Sequence, residues 1–223
     1  MTEQVKAKPH RIAIPKYTLG EELTNSISHG IGAGLGTAAL VLCIVKSAIA
    51  HDGYKLASSI VFGITVTLLY LMSCLYHALK VNKAKRVFRV MDHCTIFLLI
   101  AGTYTPFTLV TLRGALGWTL FGIVWGVAVL GIVLNAVNLK KFAKLSVICY
   151  LCMGWVIIFA FQRLSSALAP GGLYLLIAGG VAYTIGALLY AIGSKRKYFH
   201  SIFHFFCIIG SVLHFLAIYI YVL

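Results

Sequence analysis

The sequence predicts an all-α, polytopic membrane protein: a bundle of seven transmembrane helices with its N-terminus in the cytoplasm and its C-terminus outside. Three observations predict it. Apolar residues make up 61% of the 223 residues and charged residues only 11%, too little polar surface to cover a water-soluble domain. Apolar runs of membrane length recur along almost the whole chain, and in lipid each must close its backbone hydrogen bonds as a helix. Lys and Arg then collect in every second loop, as they do in the cytoplasmic loops of multi-pass proteins.

Residues 1–26 read as a polar cytoplasmic segment without a cleavable signal peptide. Within it Thr18 and Glu21 have capping-box spacing, which predicts a short interfacial helix before the first span. Residues 27–223 form the seven-helix domain, with spans near Ile27 to Ala50, Leu56 to Leu79, Met91 to Leu112, Leu116 to Asn138, Phe142 to Phe161, Gly172 to Gly193 and Phe199 to Leu223. In the first span Gly30/Gly34 and Gly32/Gly36 are small residues four apart that let helix backbones approach. They lack the spacing and strand-turn-helix context of a phosphate loop.

The basic residues set the count. Lys6, Lys8, Arg11 and Lys16 precede the first span; Lys80, Lys83, Lys85, Arg86 and Arg89 follow the second; Lys140, Lys141 and Lys144 follow the fourth; Lys195, Arg196 and Lys197 follow the sixth. Of nineteen basic residues only Lys46, Lys55, Arg113 and Arg163 remain for the opposite side. Without the fifth span, which Lys144 and Gln162-Arg163 bound, the last basic loop would fall on the wrong side. The net charge of +14 therefore reflects topology and attraction to anionic lipid rather than nucleic-acid binding. All six cysteines, Cys43, Cys74, Cys94, Cys149, Cys152 and Cys207, fall inside spans, so no disulfide framework is expected, and the Cys149-x-x-Cys152 pair reads as small packing residues.

Ionisable groups inside a membrane are costly and point to function. Of five acids, Glu3, Glu21, Glu22 and Asp52 lie outside the spans and only Asp92 lies within. His200 and His204, four apart at the start of the last span, share one helix face with the spacing of two metal ligands. His77 lies three residues before Lys80, Asp92 three after Arg89 and His200 three after Lys197, so three helices each place a polar group roughly 4 to 5 Å inside the same membrane face. Three imidazoles with one open position make a catalytic-type zinc site, beside which a carboxylate orients water or accepts its proton. Ser73, one turn before His77, reaches toward the same point. A satisfied polar cluster locking the three helices is the other reading of these residues. His29, on the same side, is a candidate to support the ligands from behind. His93 points roughly 100° away from Asp92 around its helix and reads as packing or a loop contact. His214, roughly 21 Å beyond His200 along its helix, cannot share the ion. His10 and His51 are expected to face solvent.

With Ser73-x-x-x-His77, Asp92-His93 and His200-x-x-x-His204 in place, and with Glu22-x-x-Asn25-x-x-x-His29 and Gly102-Thr103-Tyr104-Thr105-Pro106 beside them, the chain resembles the hemolysin III family over roughly residues 17 to 223. That family is the bacterial branch of the progestin/adiponectin receptor superfamily. The resemblance implies seven helices, a cytoplasmic N-terminus and residence in the bacterial plasma membrane. It also implies a zinc ion on His77, His200 and His204, with Asp92 contacting its water. Alkaline ceramidases share the pattern, which implies zinc-dependent hydrolysis of a membrane lipid amide or ester. The alternatives are a non-enzymatic haemolytic or cytolytic protein, or a receptor-like regulator of membrane state with structural zinc. Membrane lipids, or a small lipidic ligand, are the expected partners.

Overall fold

The computed structural model describes residues 14–193 and 196–223; Glu3, Lys6, Lys8, His10, Arg11 and Lys195 lie outside them. The described chain is entirely helical. α1 (Leu19–Ile49), α2 (Gly53–Ala78) and α3 (Lys83–Pro106) follow one another through tight turns; a π-helical turn (Phe107–Thr111) leads to α4 (Ala115–Trp155); a 3₁₀ segment (Val156–Ala160) and α5 (Phe161–Ala167) precede α6 (Pro170–Ile192) and α7 (Phe199–Tyr221).

Local chemistry sets these boundaries. Thr18 and Glu21 form the reciprocal capping box, but it opens α1 itself, which runs unbroken to Ile49. Among the described residues no separate interfacial helix precedes the first span. Asp52 accepts from the backbone N–H groups of Tyr54 and Lys55 to start α2, Asn82 accepts from Lys85 to start α3, and Pro170 opens α6 where a missing N–H costs nothing. Pro106 closes α3 and the ladder widens into the π turn beyond it.

Six helices among the described residues are long and apolar enough to cross a membrane, which makes this a polytopic all-α membrane protein. The expectation of seven separate spans meets a different chain at the fourth and fifth, because Ala115–Ala167 is one apolar helical stretch of 53 residues. A straight helix of that length would run about 80 Å, far beyond a hydrocarbon core of about 30 Å. It is not straight. Asn138 leaves helical geometry at φ −157°, ψ 84°, and its side chain accepts from the Lys141 N–H at 3.0 Å to restart the helix. Ser146 then donates to Asn135 at 2.7 Å, and Asn135 donates to Tyr150 at 3.3 Å. Residues eleven apart on an unbroken helix would be about 16 Å apart, so the chain doubles back at Asn138.

α2 and α3 form the centre: 56% and 67% of their spanning windows are buried, against 17% for α6. α1 lies close along α2 because Gly32 faces the Tyr70 ring and Gly36 faces Val66 and Thr67, where an added Cβ would stand 2.7 to 3.1 Å from those atoms. Gly34 has open space beside it, so only part of the predicted glycine stripe is an interface. Polar groups inside α3 satisfy themselves: Thr103, Thr105 and Thr108 each donate to a carbonyl one turn back. All six cysteines are free.

Candidate metal centre

Three helices meet at one end of the bundle. α2 brings His77 in its last turn, α7 brings His200 and His204 in its first two turns, and α1 brings Glu22, Asn25 and His29 on one face. The junction of α1 and α7 is pinned by Glu21, whose carboxylate accepts from the Thr18 N–H and from the Tyr198 N–H, each at 2.8 Å. Tyr198 holds the left-handed conformation at φ 62°, a strained position for a bulky residue. The bond to Glu21 holds that turn, which aims the first residues of α7 back over α1.

His77, His200 and His204 converge. The Nε2 atoms of His77 and His204 lie 3.2 and 3.1 Å from the Nε2 of His200, and ligand atoms of all three fall within 4.8 Å of one another. Tetrahedral zinc with N bonds of about 2.0 to 2.1 Å spaces its ligand nitrogens about 3.3 Å apart. An imidazole nitrogen carries either one lone pair or one proton, so His200 Nε2 cannot make a full hydrogen bond to both neighbours. A cation at the centre would satisfy three lone pairs at once, so the donor set fits zinc. His77 Nδ1 lies 2.7 Å from Glu22 Oε2, while Nδ1 of His200 and of His204 have no hydrogen-bond partner among the described residues. His77 and His204 are almost fully buried. Tyr17 stacks on His200 with ring centroids 5.1 Å apart and lies 5.7 Å from His77; burial raises its phenol well above the ordinary value and keeps it neutral.

The cluster forms one end of a largely apolar cavity running between α3, α4, α6 and α7, whose wall includes His200, His204, His29, Asp92 and Ser73. Asp92 and Ser73 are both buried, and the Ser73 hydroxyl faces the Asp92 carboxylate with no closer partner among the described residues. His93 differs from the expectation: its Nδ1 reaches back to 3.6 Å from Asp92 Oδ2, and it lines the same cavity. The ring is long enough to bridge the angular gap between successive helix positions. His29 lies beside the three-histidine cluster rather than among its converging nitrogens. Its ring stacks face to face on His204, 3.5 Å between centroids and 8° between planes.

His214 lines the far part of the cavity, where its Nε2 donates to the Leu176 carbonyl at 3.0 Å. His51 is exposed, as expected. Sequence reasoning gave no site role to Glu22, Asn25, Ser201 or Lys85, although Glu22 and Asn25 stand in the motif that carries the resemblance. Asn25 accepts from Ser201 at 2.6 Å, tying α1 to α7 between His200 and His204. The signal for the α1 residues was present: Glu22, Asn25 and His29 at i, i+3 and i+7 share one helix face.

The family model described as Haemolysin-III related matches residues 17–215. The chain is 42% identical over 203 residues to Hemolysin-3 of Bacillus cereus, covering 91% of this chain and 92% of that one. It is 41% identical over 205 residues to the Hemolysin-3 homolog of Bacillus subtilis (strain 168), covering 92% and 96%. More distantly, it is 23% identical over 215 residues to the human Monocyte to macrophage differentiation factor, covering 92% and 86%. With these relatives and six membrane-length apolar helices, it is a multi-pass protein of the bacterial plasma membrane. The chain belongs to the haemolysin-III family.

Proposed function

We propose that this protein crosses the membrane seven times, N-terminus in the cytoplasm and C-terminus outside, and holds zinc on His77, His200 and His204 near the cytoplasmic face to hydrolyse an amide or ester bond of a membrane lipid. The observation that carries this reading is the convergence of three imidazole nitrogens at one end of an apolar cavity whose wall also holds Asp92 and Ser73. The turn at Asn138 supports seven crossings, because with it Lys140, Lys141 and Lys144 would fall on the same side as the loop after α2. A reporter fused at the C-terminus should be active only outside the cytoplasm; activity inside would overturn the topology.

Zinc, when bound, supplies Lewis-acid polarisation of a carbonyl and acidifies water. The chain's own groups supply the rest. Asp92, the single acid buried in the cavity wall, takes the proton from the attacking water and later returns it to the leaving amine or alcohol. Ser73, whose hydroxyl lies beside Asp92, donates to the carbonyl oxygen as negative charge develops there. The apolar wall formed by α3, α4, α6 and α7 accepts hydrocarbon and excludes bulk water, which strengthens both interactions. The test is an untargeted lipid comparison of purified, zinc-loaded wild type with His204→Ala. Wild type should convert at least one lipid class that the variant leaves intact; no turnover of any lipid would overturn the hydrolase reading.

The names of the two Bacillus relatives favour a second reading, haemolytic activity. Lysis by wild type and by His77→Ala at matched expression separates the two. Equal lysis would assign it to bulk membrane damage rather than to the histidine site.

A further inference from the structure

We propose that Glu22 and Lys85 are positioning residues for His77, forming a relay that fixes which nitrogen of His77 faces the cluster and in which direction; this rests on the zinc reading above. Lys85 belongs by sequence to the basic loop after the second span, where Lys80 and Lys83 are exposed. It is instead almost completely buried, at 1% exposure. Its ammonium donates to Glu22 Oε1 at 2.6 Å and to the Leu79 carbonyl at 3.0 Å, and lies 5.0 Å from the centroid of the Tyr76 ring. The other oxygen of the same carboxylate meets His77 Nδ1 at 2.7 Å. Glu22 is thus held at both ends, by a cation and by a candidate ligand.

The chemistry of the contact decides the tautomer. An ionised carboxylate only accepts, so the short bond places the proton on Nδ1 and leaves the Nε2 lone pair free to face His200 and His204. Asn25 Nδ2 is 3.4 Å from the same Nδ1, too long to compete with a charge-assisted bond of 2.7 Å. Lys85 has a second effect. The Glu22 carboxylate is partly exposed, and the ammonium locks its Oε1 so that Oε2 points at His77. The neighbouring acid does different work. Glu21 bonds Thr18 and the Tyr198 backbone, so it holds chain geometry at the same helix end without touching a ligand. In Glu21→Gln the amide oxygen still accepts from the Tyr198 N–H, so the turn before α7 is kept while the bond to the Thr18 N–H is lost, which makes this variant a control for simple loosening of the α1 terminus.

The test measures Zn²⁺ affinity of the purified full chain by competition with a chromogenic chelator, with Co²⁺ visible absorption as a second readout of ligand geometry. Glu22→Gln should weaken zinc roughly 10- to 100-fold and shift the Co²⁺ bands. Lys85→Met should weaken it by a smaller factor, and the double variant should be no weaker than Glu22→Gln alone. Glu21→Gln should stay within about threefold of wild type. If wild type binds no stoichiometric zinc, the metal reading itself fails. If wild type binds but Glu22→Gln is within about twofold of it, or Glu21→Gln weakens zinc equally, the positioning role of Glu22 is overturned. Additive losses in the double variant would remove Lys85 from the relay. Should Glu22→Gln not fold, Glu22→Asp, with its carboxylate withdrawn by one methylene, is measured in its place under the same thresholds.

Discussion

Two regions of one cavity hold buried histidines in opposite circumstances. At its polar end His77, His200 and His204 turn ring nitrogens toward each other, an arrangement that hydrogen bonding alone cannot satisfy. At its other end His214 gives its Nε2 proton to the Leu176 carbonyl, and the ring fills the notch left by Gly179. The first group gathers ring nitrogens from three side chains at one point; the second gives one nitrogen to a carbonyl and leaves its Nδ1 without a partner among the described residues. Residue type is alike in both. What separates them is where the nitrogens point, so an intramembrane histidine is a candidate for function when its nitrogens converge with those of other histidines, not merely when one of them is unmet.

The comparison breaks most easily on metal content. His77→Ala or His204→Ala should weaken zinc by about a thousandfold or more, reducing the ion from stoichiometric to background by elemental analysis of purified protein. His214→Leu should keep its full complement, and loss there would erase the distinction. Next in size, stripping zinc from wild type with a chelator should lower the melting temperature and re-addition should restore it, since an ion at about a thousand times its Kd stabilises by about 4 kcal/mol. The same treatment should leave His77→Ala unchanged. Gly179→Ala places a methyl group inside the space of the His214 ring and should cost about 1 to 3 kcal/mol in thermal unfolding with zinc content intact. His214→Leu should cost only about 1 kcal/mol, the net worth of its bond to Leu176.

The smallest effect lies at the opposite end of the bundle, away from either histidine region. The N–H groups of Lys55 and Tyr54, with Arg113 at 3.3 Å, hold the Asp52 carboxyl below its usual range. A depressed carboxylate stabilises most above its unfolded value of about 3.9. That contribution should fade only as pH falls through the lower folded value. Asp52→Asn should therefore flatten the acid limb of a melting profile slightly, without changing zinc content at neutral pH.

Much of this was legible in the sequence because lipid imposes simple rules. Long apolar runs had to be helices, and His200 and His204 of α7 had to share a face at i, i+4. The boundaries were less legible where a polar residue replaced a loop. Asn138 turns the chain with so little interruption that the helical stretch from Ala115 to Ala167 continues through it. Glu22 was set aside as an acid outside the spans, because α1 begins at Leu19, earlier than hydropathy places the membrane. Lys85 was counted with its loop neighbours, because a positive charge in a basic loop looks the same in sequence whether it meets water or a carboxylate.

By itself, then, the sequence determined an all-helical membrane protein with one acid, Asp92, inside its apolar runs and a pair of histidines four residues apart, since these follow from hydropathy and helical periodicity. Only the tertiary structure decided which groups meet. The glycines of α1 bring that helix against α2, Glu21 holds the left-handed turn before α7, and the packing of α1, α2 and α7 brings His77 within 3.2 Å of His200. Contacts between residues more than a hundred positions apart depend on how helices pack, and no local period encodes that.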